Sequence, residues 1–176
     1  MKTSTLFEPL TLRSVNLPHR GWVSPMCQYS CDPVHAPGVP NDWHLVHLGS
    51  FATGGAALII AESTAVNPEG RISPRDTGLW NDAQVAAWQR ITHFVHAHSH
   101  DAKIGIQIGH AGRKGATYPP TTGPDGTVPT SEGGWQTLAP TDAAFGLYSA
   151  PLAMTVEQIH AVIEDFAEAA KRAVAA

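Results

Sequence analysis

Ala56-Ala57-Leu58-Ile59-Ile60-Ala61 runs without a break into Glu62-Ser63-Thr64. Six consecutive apolar residues with no alternation are the pattern of a strand buried on both faces, as strands of parallel sheets are. The polar triplet stands at the C-terminal end of that strand, where parallel α/β folds place their chemistry. Directly upstream, Gly54-Gly55 closes a segment from Trp43 to about Thr53 that reads as a helix, with Asn41 or Asp42 as its N-cap. Trp43, Val46, Leu48 and Phe51 would form its apolar face.

The same alternation extends in both directions. Downstream, a loop from Asn67 to Trp80 leads to a second helix that begins at Asn81-Asp82. It carries Val85, Trp88, Ile91, Phe94 and Val95 on one face and exits near Asp101. Lys103 to His110 is a third strand, polar towards its end. Upstream, Gly21 to Pro25 is the first central strand. Ahead of it Phe7–Leu12 and Ser14–Leu17 form a hairpin that Pro9 and Pro18 confine to an edge. Residues 111–154 are rich in Gly, Pro and Thr and read as a long functional loop. Thr155-Val156-Glu157-Gln158 is a capping box. Val156, Ile159, Val162, Ile163, Phe166, Ala170 and Val174 then mark a helical stripe to the C-terminus.

Repeated strand–helix units with buried strands mean parallel α/β. No Gly-rich phosphate fingerprint follows the first strand, which disfavours a doubly wound nucleotide-binding sheet. The leading hairpin and the polar strand ends favour a (β/α)8 TIM barrel. Only about three β/α units are present, whereas a whole barrel takes about 250 residues. The expectation is a single incomplete barrel domain over residues 1–176, the N-terminal portion of such a fold, ending where a fourth strand would begin.

The chain is 43% hydrophobic and 15% charged with a net charge of −4, so no basic field exists to hold nucleic acid or anionic lipid. No apolar run approaches the ~20 residues of a membrane span, and the N-terminus lacks a secretory leader pattern. A cytoplasmic location is expected. Cys27 and Cys31 make no disulfide framework.

In a barrel, Ser24–Tyr29, Glu62–Thr64 and Gln107–Arg113 would converge on one mouth. They contain no Ser-His-Asp order, no acidic pair at metal spacing and no P-loop. An amide, hydroxyls, a thiol and a phenol suit an organic cofactor held by hydrogen bonds. No metal is expected: His93, His96, His98 and His100 read as a solvated helix end, and His44 with His47 as packing. Trp43, Trp80 and Trp88 read as core, and Arg113-Lys114 as solvated loop charges.

Four segments together carry a resemblance: Ser24-Pro25-Met26-Cys27-Gln28-Tyr29-Ser30, Asn41-Asp42-Trp43-His44, Leu58 to Arg71, and Ile106 to Lys114. In this order and spacing they resemble the old yellow enzyme family, and within it the bacterial thermophilic-like FMN ene-reductases. The match runs from about Leu6 to the C-terminus. The resemblance implies a (β/α)8 barrel with FMN at its mouth. NAD(P)H would supply hydride for the activated C=C bond of enones or enals. Carried over, Ser24, Pro25, Met26 and Cys27 would line the flavin, Cys27 would tune its potential, and Gln107 would bond its pyrimidine ring. Tyr29 would face the substrate as the catalytic residue. Ser63 falls where that class usually has Ala against the flavin. The family's substrate-anchoring His pair and its phosphate site would follow a helix like the last one here, so the 176-residue chain is expected to be inactive alone. A reading of another class is a non-catalytic half-barrel that assembles with itself or with a missing C-terminal half.

Overall fold

The computed structural model describes residues 4–120 and 122–176. A hairpin opens it, β1 (Leu10–Leu12) against β2 (Val15–Leu17), antiparallel with Leu10 opposite Leu17. Its two-residue turn places Arg13 in the left-handed region (φ 53). The central sheet holds β3 (Trp22–Val23), β4 (Leu58–Ala65) and β5 (Lys103–Gly109), all parallel in the order β3-β4-β5. Helices α1 (Asp42–Thr53) and α2 (Asp82–His98) supply the crossovers, and α3 (Val156–Ala175) follows. The expected hairpin and three β/α units are therefore present in parallel α/β form.

Each helix begins with a reciprocal cap. Asn41, Asn81 and Thr155 accept from the first turn, and His44, Gln84 and Gln158 return a side chain to the N-cap backbone. The core joins Leu48 and Ala52 of α1, Ile59 and Ala61 of β4, and Trp88, Ile91 and Val95 of α2, with Leu79 and Ala102. Fully burying each large member contributes ~1.5–3 kcal/mol. α1 and α2 approach closely at Gly49, where a Cβ would come within 2.6 Å of the Phe94 ring.

Three expectations need correction. The buried face of α1 is His44, Leu48, Gly49 and Ala52, while Trp43 is 58% and Val46 69% exposed. Helical spacing allowed either face, and a buried histidine is not visible in an apolar pattern. Residues 111–154 are not structureless, since Leu138–Ala139 (β6) pairs in parallel with Leu152–Ala153 (β7). Arg113 is no solvated charge either: its guanidinium donates to the Ala143 carbonyl at 2.7 Å and to Thr141 Oγ1 at 3.0 Å. The Trp135 indole donates to the Glu69 carbonyl at 2.9 Å, which ties this segment to the loop after β4.

The α3 stripe is present as a pattern but only Ala169 is buried. Val156 is 63%, Ile159 41% and Ile163 56% exposed. The helix packs through its C-terminal end, where Ala173 and Ala176 meet the core.

Candidate active site at the strand ends

β3 is short because Pro25 follows Ser24 and supplies no N–H for a ladder. The chain beyond it is held by side chains. Gln28 is the hub: its amide donates to the Met26 carbonyl at 2.8 Å and accepts from the Trp43 indole at 3.0 Å. Ser30 Oγ donates to the Gln28 carbonyl at 2.8 Å, and Asn41 donates to the Ser30 carbonyl at 2.7 Å. Between these ties Tyr29 adopts a left-handed backbone (φ 50), which a bulky residue enters only when its surroundings enforce it. Trp43 is thus a surface strut for this segment and not core.

β4 carries a β-bulge at the same level. Ala61 stands opposite Ile106 and Ser63 opposite Gln107, so Glu62 is the extra residue. Ile104, Ile106 and Ile108 pack against the helices; Gln107 lies on the other, open face and is exposed. By simple alternation Ser63 would share the helix-facing side of Ala61, and the bulge instead sets it beside Gln107. Gly109 leaves room for it, since a Cβ there would lie 3.3 Å from Ser63 Oγ.

The displaced Glu62 is 4% exposed and turns its carboxylate under the β3 segment. One oxygen accepts the Gln28 backbone N–H at 3.0 Å. The other lies 3.3 Å from His44 Nε2, a contact short enough for an ion pair but off the alignment of a good hydrogen bond. His44 Nδ1 accepts the Asn41 backbone N–H at 3.1 Å. The same Nδ1 lies 3.1 Å from Asn41 Oδ1, so the ring stands between the N-cap residue on one side and Glu62 on the other.

Cys27 closes the group. Its sulfur lies beside the Ser63 backbone and the Tyr29 hydroxyl, both of which favour the thiolate. Burial, then the negative charges of Asp76 and Glu62, push its thiol up to about 11. Burial first, with Cys27 and Asp76 adding to it, pushes Tyr29 up to about 12. Both groups are therefore neutral at physiological pH. Asp76 accepts from the Ile72 N–H at 2.8 Å and from Ser73 Oγ at 2.7 Å, yet burial outweighs these bonds and raises it to about 6. Cys27, Gln28 and Tyr29 with Arg75, Pro119, Pro120 and Thr122 line an open cleft of about 570 Å³.

Ser63 and Gln107 thus stand side by side towards the ends of β4 and β5, with Cys27 against the Ser63 backbone and Tyr29 in the neighbouring cleft. Ser24 and Met26 are exposed at the rim and Pro25 is half-buried beside them. Gln28 and Glu62 fall within the expected strand-end segments, whereas Trp43 and His44, expected as core and packing, support the site from α1; the Asn-Asp-Trp-His run is their visible signal. His110 lies apart, against Gly70 and Asn67, and burial pushes its imidazole down.

Residues 5–176 match the NADH:flavin oxidoreductase / NADH oxidase family, and the chain belongs to it. An NADH:flavin oxidoreductase of Gibberella zeae is 42% identical over 178 residues, which are 99% of this chain and 42% of that protein. An NADPH dehydrogenase of Listeria welshimeri is 42% identical over 171 residues, 97% of this chain and 45% of that one. Among solved structures, morphinone reductase in complex with tetrahydroNAD superposes with a TM-score of 0.75 at 30% identity, over 97% of this chain and 46% of its own. The old yellow enzyme homologue from Zymomonas mobilis superposes at 0.77 with 27% identity, over 98% and 46%. The resemblance to the old yellow enzyme family is thereby established, and FMN and NAD(P)H are the cofactors that accompany it. The chain spans about half the length of the relatives it matches.

Proposed function

We propose that residues 1–176 form the FMN-facing N-terminal part of a (β/α)8 barrel that reduces the activated C=C bond of enones and enals with NAD(P)H. The observation that carries this reading is the Ser63–Gln107 pair on the open face of the sheet, with Cys27 beside Ser63 and Tyr29 next to it. The donor set fits a flavin. The exposed Gln107 amide offers both donor and acceptor to a pyrimidine edge, and Ser63 beside it leaves the sheet surface low enough for a flat ring. Ser24, Pro25 and Met26 would lie along that ring and Cys27 at its redox-active edge. FMN, once bound, would relay hydride from NAD(P)H to the alkene. Tyr29 stays protonated across the working pH range and so presents an O–H donor towards the cleft where the alkene would sit.

On the family's pattern, the residues that anchor substrate and the FMN phosphate follow a helix like α3. The 176-residue chain should then hold the ring weakly and turn nothing over. Flavin fluorescence quenching tests this: FMN and riboflavin should bind alike, and weakly, and Gln107→Ala should remove the signal. Stoichiometric sub-micromolar FMN binding, or quenching unaffected by Gln107→Ala, counts against it. Cyclohexenone with NADPH should show no turnover by this chain.

A second reading, assembly of the half-barrel with itself or a partner, is favoured by the exposed Val156, Ile159 and Ile163 on α3. The free edge of β5 among the described residues favours it too. Sedimentation that returns a stable monomer would remove this reading.

A further inference from the structure

We infer that His44 and Glu62 are a buried positioning pair that pins the Gln28 backbone and so holds the left-handed turn at Tyr29. Neither residue reaches the cleft, so neither is a catalytic residue. Their effect passes through one backbone N–H.

The chain of contacts is continuous from α1 to the turn. Asn41 fixes the imidazole through Nδ1, which lies 3.1 Å from both its backbone nitrogen and its Oδ1, and Nε2 stands 3.3 Å from Glu62. Glu62 owes its direction to the bulge, because a regular strand would have sent that position to a ladder face. Its second oxygen takes the Gln28 N–H at 3.0 Å, the residue immediately before Tyr29. A contact between two polar side chains at 1% and 4% exposure is a demanding arrangement, since either partner alone is a buried polar group without compensation. A fold that needed only packing there would be served by two apolar side chains. The backbone at Tyr29 supplies the reason for the arrangement. A tyrosine in left-handed space reverts to extended backbone unless its neighbours are fixed. Cys27 and Tyr29 lie on either side of the pinned amide, so the turn sets where the thiol and the hydroxyl stand relative to each other.

Amide hydrogen exchange on the 176-residue chain, without flavin, tests this independently of the flavin reading. Glu62→Gln leaves one oxygen for two donors, and His44→Leu removes the donor that orients the carboxylate. In both, the Gln28 and Tyr29 amides should exchange at least about tenfold faster while β5 amides keep their protection. His44→Gln, which retains an N–H donor, should restore the unaltered rates to within about threefold. Unchanged exchange at Gln28 in Glu62→Gln and His44→Leu overturns the inference, and so does failure of His44→Gln to restore it. If the variants do not fold, the unaltered chain decides. A Gln28 amide proton shifted downfield, exchanging more slowly than those of Cys27 and Ser24, supports the pair, and open-chain exchange at Gln28 overturns it.

Discussion

Ser63 stands opposite Gln107 across β4 and β5 although it is two residues beyond Ala61, which stands opposite Ile106. One side of the strand is filled with core up to Ala61, and the polar pair opens on the other side straight after. The extra residue, Glu62, makes that change of side possible.

Deleting Glu62 should therefore leave Ser63 opposite Gln107 in a regular ladder. What is lost is the carboxylate, which leaves the Gln28 N–H without its acceptor and His44 Nε2 without the oxygen it faces. Urea unfolding should show a loss of at least about 1–3 kcal/mol, the cost of leaving one such buried group unsatisfied. Protection of β5 amides should be retained.

Ile59 is fully buried between the sheet and both crossover helices. Ile59→Ala should cost about 2–5 kcal/mol, measured by chemical or thermal unfolding, because the packed helices cannot collapse fully into the space. Val46→Ala, on the exposed side of α1, should change stability by no more than about 0.5 kcal/mol.

Asp76 gives stability a pH dependence of unusual sign. Its carboxyl is raised to about 6 in the folded chain, above the ordinary value, so the folded state holds its proton more tightly than the unfolded state. The associated stability is fully present below about pH 4 and is lost as pH rises through about 6. The size is on the order of 2–3 kcal/mol. Asp76→Asn should flatten this slope in unfolding curves taken from pH 4 to 7.

Cys27 should behave as a slow thiol. With its thiol pushed up to about 11, alkylation by iodoacetamide should be sluggish at pH 7 and climb steadily towards pH 11. Asp76→Asn removes one of the charges that oppose the thiolate and should shift that curve to lower pH. Cys31 is fully buried and should react only on unfolding. Intact mass measured against time separates the two.

Much of this architecture was legible in the chain. The apolar run to Ala61, the alternation of Ile104, Ile106 and Ile108, and the capping residues at Asn81 and Thr155 each encode a local preference that the structure honours. Cys27, Tyr29, Ser63 and Gln107 were legible as strand-end residues. What was not legible depends on pairing at a distance. His44 looks polar until Glu62 compensates it, so the wrong face of α1 was read as buried. A bulge has no signature in a strand whose apolar residues run on without alternation; in the structure Leu58 and Ile60 are only half-buried, on the open face. β6 and β7 are two residues each, too short for any periodicity, and Leu138 meets Leu152 only because Arg113 and Trp135 anchor the segment around them.

The anchoring of residues 111–154 has a further consequence. The Arg71 guanidinium lies 5.7 Å from the Trp80 ring and 4.7 Å from that of Trp135, while Trp135 also reaches the Glu69 carbonyl. A long segment tethered only at its ends carries a large conformational entropy, and a rivet near its middle divides it into two shorter spans. Because the rivet belongs to the loop that follows β4, order in the long segment is inherited from the strand that carries Glu62 and Ser63. A substitution at Arg71 should thus be felt some sixty residues downstream, as a change in the mobility of a region it does not adjoin in sequence.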